Sequence, residues 1–110
     1  GFITYSNKAK LKSLGVIKDT LMEEGAVSER VVKEMAEGVL RNSGSDFAIS
    51  ISGIAGPTGG TVDKPVGTVC FGIGSQDNIN CFTECFEGDR DEVRKQSVAF
   101  ALKELLKCLQ

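Results

Sequence analysis

Two stretches of the chain hold side chains or backbone that could do chemistry. The first is Tyr5-Ser6-Asn7-Lys8-Ala9-Lys10, which gathers a phenol, a hydroxyl and an amine within about one helical turn. Any of Tyr5, Ser6 or Lys10 could serve as a base there. The competing reading is a solvated basic helix face, since Lys8, Lys10 and Lys12 are closely spaced. The second stretch is Ser50–Thr68, SISGIAGPTGGTVDKPVGT, with glycines at 53, 56, 59 and 60. Glycine lacks a Cβ and takes positive φ readily, so such a loop can turn several backbone N–H groups onto one ligand. Those donors would suit the phosphate or carbonyl oxygens of a small substrate. The alternative is a glycine-rich connection between two strands.

Several kinds of chemistry are excluded or disfavoured. With no histidine in 110 residues, no His-dependent triad or general base is possible within this chain. Cys70, Cys81, Cys85 and Cys108 contain no C-x-x-C pair, which disfavours zinc and suggests reduced, mostly buried thiols in a cytoplasmic protein. The glycine loop is followed by no Gly-Lys-Ser/Thr and lacks the G-x-G-x-x-G register, so it is neither a P-loop nor a dinucleotide fingerprint. No motif calls for a metal or cofactor. A net charge of -2 and a pI near 5.1 argue against a nucleic-acid surface. No apolar run reaches the roughly 20 residues of a membrane-spanning helix.

The elements that must position these groups are readable from caps and periodicity. Phe2–Tyr5 reads as a short strand. Ser6 is a good N-cap for a helix over Asn7–Leu14, and Gly15 closes it. A short helix from Lys18 or Asp19 ends at Gly25. Ser28 caps a helix from Glu29 to about Arg41, with Val31, Val32, Met35, Val39 and Leu40 as its buried stripe. Phe47–Ile54 is the clearest strand, bulky on one side and small (Ala48, Ser50, Ser52) on the other, which predicts a central strand covered on both faces. Val66–Ile73 and Ile79–Phe86 form a hairpin, with the second strand near an edge because of Asn80 and Glu84. Asp89 with Glu92 makes a capping box for a long final helix, whose predicted buried stripe is Val98, Ala101, Leu102, Leu105 and Leu109. The order predicts one α/β domain over residues 1–110, a three-layer α/β/α arrangement with a mixed sheet.

Five blocks occur in order: TYSNKAK (4–10), GAVS (25–28), SGIAGPTGG (52–60), KPVGTV (64–69) and GDRDEVR (88–94). Together they resemble the C-terminal domain of the competence/damage-inducible protein CinA, a family that also occurs as a stand-alone nicotinamide mononucleotide deamidase. The resemblance covers almost the whole chain. It implies hydrolysis of the carboxamide of nicotinamide mononucleotide to nicotinate mononucleotide and ammonia, with no cofactor, in a cytoplasmic homo-oligomer. It also implies a histidine-free serine amidase in which Tyr5 and Lys10 are catalytic. Ser52, Gly53, Ala55, Gly56, Gly59 and Gly60 would bind substrate, and Arg90 would contact its phosphate side or a neighbouring subunit. The family's nucleophilic serine lies in an ESCTGG-like block upstream of the first block seen here. The chain is therefore expected to lack the family's first strand and helix and to be inactive alone. The alternative is a catalytically inactive nucleotide-binding or oligomerisation module of a larger competence/damage-inducible protein.

Overall fold

The computed structural model describes all residues from Gly1 to Gln110. Its elements are α1 (Asn7–Leu14), α2 (Lys18–Glu24), α3 (Glu29–Ser43), β1 (Ala48–Gly53), β2 (Thr68–Ser75), β3 (Asn78–Cys85) and α4 (Arg90–Leu109). The helix starts follow local side-chain chemistry. Ser6 Oγ accepts the Ala9 N–H and Ser28 Oγ accepts the Val31 N–H. Asp89 and Glu92 complete a reciprocal capping box.

The strands lie in the order β1-β2-β3, each antiparallel to the next. Helices cover both faces, as the α/β/α layering requires. On one face α3 seats Val31, Val32 and Met35 against Cys70 of β2. Small β1 residues let this helix approach closely: the buried Ser50 hydroxyl donates to the Val32 carbonyl of α3. On the other face Val69, Phe71 and Ile73 of β2 pack with Val93 and Ala101 of α4.

Four expectations need correction. Phe47–Ile54, expected as a central strand, supplies β1 at the edge of the sheet, because only β2 pairs with it, and Phe47 and Ile51 are exposed. Phe2–Tyr5 forms no ladder, so the sheet within this chain is antiparallel throughout rather than mixed. A cavity of about 420 Å³ lies between Gly1–Tyr5 and Ile49–Ile51 of β1, and a strand cannot form without a partner within hydrogen-bonding reach. The second strand starts at Thr68, not Val66, because the Thr68 N–H turns back to the Pro65 carbonyl. Of the α4 stripe, only Ala101 is fully buried, while Val98, Leu102 and Leu109 are exposed. The helix instead presents Val93, Ser97 and Ala101 to the sheet. Phe100 already fills the space above Phe71, with ring centroids 4.5 Å apart and Phe82 and Phe86 nearby, so small residues seat the helix.

α1 is held against α3 by backbone proximity. A Cβ on Gly38 would collide with the Leu14 carbonyl, so only glycine permits this crossing. The last carbonyls of α1 are capped from α3: Arg41 Nη2 donates to Leu14 O at 3.2 Å and Asn42 Nδ2 to Ser13 O at 2.7 Å. These contacts fix the helix that carries Lys10.

Candidate active site

Lys10 projects from the rigidly held α1 into the cavity beside β1. The residue is 7% exposed, and its ammonium donates to the Thr4 carbonyl at 2.8 Å. Leu14, Met35, Val39, Ile49 and Ile51 line the same cavity. Burial lowers the Lys10 pKa from its ordinary 10.5, because an apolar surround disfavours the charged form. No carboxylate forms an ion pair with it. Tyr5 also lines the cavity but is 93% exposed, and its hydroxyl bonds to no other group of this chain. The structure therefore brings Tyr5 and Lys10 to one cavity.

The glycine loop forms a second region, beyond the C-terminal end of β1. Gly53 and Ala55 line a smaller cavity of about 240 Å³ with Ile51, Val69, Val93, Arg94 and Ser97. Ile51 lines both cavities and so joins the two regions. The N–H groups of Ile54, Thr61, Lys64, Gly67 and Thr68 are engaged within the loop and its flanks. Those of Ala55, Gly56, Thr58, Gly59 and Gly60 have no partner in the protein, and Thr58, Gly59 and Gly60 are exposed, so their N–H groups are open to a ligand.

Not every residue expected to touch substrate points at open space. Ser52 is buried and donates to the Ala26 carbonyl at 2.8 Å, which ties the end of β1 to the α2–α3 turn. Arg90 Nη1 donates to the Gly56 carbonyl at 2.9 Å, so the guanidinium holds the loop backbone. Gly56 and Gly60 are demanded by the loop's own packing: a Cβ would stand 2.6 Å from Val66 Cγ1 and Val66 N, respectively. Gly59 sits in the exposed tip with φ +98. Two contacts escaped sequence reasoning. The Thr4 carbonyl that receives Lys10 is backbone and leaves no residue-type signal. The link from Lys64 Nζ to the Glu24 carbonyl spans 40 residues, although a lysine in a loop and a helix lacking a basic last turn are both visible.

Fold and site together define an α/β/α domain with a desolvated lysine in one cavity and a glycine-rich loop with unpaired backbone donors beyond the end of β1. Such an arrangement suits proton transfer on a small substrate. The chain belongs to the CinA C-terminal domain family, whose model matches residues 1–109. It is 54% identical over 106 residues to the nicotinamide-nucleotide amidohydrolase PncC of Shigella flexneri, covering 96% of this chain and 64% of that protein. It is 49% identical over 109 residues to a putative competence-damage inducible protein of Caldicellulosiruptor saccharolyticus, covering 99% of this chain and 26% of that one. Among solved structures, the competence/damage inducible protein CihA of Agrobacterium tumefaciens superposes with a TM-score of 0.95 at 39% identity, over all of this chain and 68% of its own. The chain thus spans just under two thirds of its PncC relatives. No helix is long and apolar enough to cross a membrane.

Proposed function

We propose that the intact protein hydrolyses the carboxamide of nicotinamide mononucleotide, giving nicotinate mononucleotide and ammonia. The observation that carries this reading is the Lys10 amine, buried on a cavity wall with its pKa lowered and no carboxylate paired to it. An amide is a weak electrophile, so an attacking serine needs a base and the resulting oxyanion needs donors. A lysine is a base only when neutral, and desolvation favours the neutral form.

In the proposed reaction, a serine hydroxyl supplied by residues upstream of Gly1 attacks the carboxamide carbon. Lys10 takes the hydroxyl proton and returns it to the departing nitrogen, which leaves as ammonia. Water then cleaves the acyl ester to the carboxylate and frees the serine. Tyr5, at the mouth of the same cavity, relays protons between hydroxyl and amine. The free N–H groups of Ala55, Thr58, Gly59 and Gly60 hold substrate oxygens, and Arg90 and Ser52 fix the backbone that presents them. The similarity to the nicotinamide-nucleotide amidohydrolases PncC supports the substrate. The same reading makes the intact protein a cytoplasmic homo-oligomer, and the exposed α4 residues Val98, Leu102, Leu106 and Leu109 are the apolar surface that supports self-association.

The test is an ammonia-release assay on the intact gene product with nicotinamide mononucleotide, run beside calorimetry. Release of ammonia is expected. Binding with no ammonia would overturn the enzyme reading in favour of a nucleotide-binding module, which the match to a quarter of the competence-damage inducible relatives also accommodates.

A further inference from the structure

We propose that Lys64 is a positioning residue, a strap that holds the glycine loop against the C-terminal end of α2 and so keeps the free N–H groups of the loop aimed at the substrate. The role in turnover rests on the amidase reading given above; the strap itself does not.

Residues 57–63 are exposed, and Val62 at 99% contributes nothing to the core. Apart from the close approach of Gly60 to Val66, little packing orders this segment, so its shape depends largely on a few polar ties. One is Arg90 to the Gly56 carbonyl, at the entry to the loop. At the exit, Thr61 and Lys64 close a tight turn. The Lys64 N–H donates to Thr61 Oγ1 at 3.0 Å, and the Thr61 N–H donates to the Lys64 carbonyl at 2.9 Å. From that turn the Lys64 ammonium reaches the Glu24 carbonyl in the last turn of α2. It stands over the helix end: a Cβ on Gly25 would be 3.2 Å from Nζ.

The receiving site is suited to a cation. The last carbonyls of a helix lack intrahelical donors and carry the negative end of the helix dipole. α2 has no basic residue in its own last turn, so the positive charge comes from the loop instead. The adjoining Ala26 carbonyl accepts Ser52 Oγ from the end of β1. Both ends of the glycine loop are thereby tied to the same α2–α3 turn, one through Ser52 and one through Lys64. A loop ordered in advance loses less conformational freedom when substrate binds. The strap should therefore act on affinity more than on the chemical step.

The experiment compares wild type, Lys64→Met and Lys64→Arg in the intact protein. Hydrogen exchange of the Thr61 and Lys64 amides, the two that are hydrogen-bonded in this segment, is followed without substrate, and KM and kcat are measured with nicotinamide mononucleotide. Lys64→Met is expected to speed loop exchange and raise KM by about tenfold each, the factor that corresponds to about 1.4 kcal/mol. Its kcat should stay within about threefold of wild type, because an interaction made equally in ground and transition states moves KM alone. Lys64→Arg should recover most of both effects. Unchanged exchange and KM in Lys64→Met would overturn the proposal. So would a collapse of kcat at constant KM, which would put Lys64 at the reacting atoms, or a Lys64→Arg variant no better than Lys64→Met. If wild type releases no ammonia, the amidase reading fails, and the exchange comparison still decides whether the strap exists.

Discussion

The Lys10 cavity and the glycine loop adjoin through Ile51 but are built on opposite principles. Around Lys10 the walls are apolar, the amine is buried, and the one polar partner is a carbonyl six residues away. Around the loop the backbone is exposed, donors are plentiful, and order comes from side chains distant in sequence: Arg90 to Gly56 and Lys64 to Glu24, with separations of 34 and 40 residues. The difference fits the task proposed for each region. A lysine must be desolvated to lose its proton near neutral pH, which requires a dry pocket. Backbone donors must remain open to receive a ligand, which requires an accessible loop. One region depends on packing and the other on tethers, so each should fail in its own way.

The largest effect is expected at Lys10. Lys10→Met should lower ammonia release by at least about 100-fold, the scale of losing a general base. Its melting temperature should hold or rise near neutral pH, because the variant no longer buries a charge. The sign follows from linkage. Below the lowered folded pKa the amine is charged and the folded state bears the full desolvation cost. Between that pKa and the 10.5 of the free side chain, the unfolded chain holds the extra proton, so wild-type stability rises with pH. A Lys10→Met protein that keeps its rate would remove the residue from the mechanism.

Next comes Gly38→Ala, which tests packing. Its Cβ would meet the Leu14 backbone and push α1 from α3, at about 2–3 kcal/mol in chemical denaturation. Activity should fall with it, since α1 carries Lys10. A variant as stable as wild type would show that the crossing tolerates more space than the structure allows. Arg90→Met should be milder, raising KM by about tenfold with little change in melting temperature, as expected when a tether rather than a core contact is lost. If it unfolds the protein instead, the loop is part of the stability core and the contrast between the two regions collapses.

Local features of this fold were legible in the sequence. Ser6, Ser28 and the Asp89–Glu92 box announce helix starts because each cap satisfies donors within three residues. The small face of β1 announced a closely packed helix, and α3 provides it. Periodicity was less informative for α4. It identifies an apolar face but not what that face meets, and the Phe71–Phe100 stack left the sheet side to Val93, Ser97 and Ala101. Phe2–Tyr5 has strand-like composition, yet a strand is a property of a pair. In the site, TYSNKAK and the glycine block could be found by residue type, and the cavity does gather Tyr5 with Lys10. The jobs of Ser52 and Arg90 could not be read the same way. Each makes its bond to a carbonyl remote in sequence, and carbonyls carry no residue identity.

The most direct measurement is the pH dependence of kcat/KM for ammonia release from nicotinamide mononucleotide by the intact protein. If neutral Lys10 is the base, the rate rises with pH along a limb whose midpoint lies below 10.5. A pH-independent rate, or a limb centred at or above 10.5, would contradict the assignment.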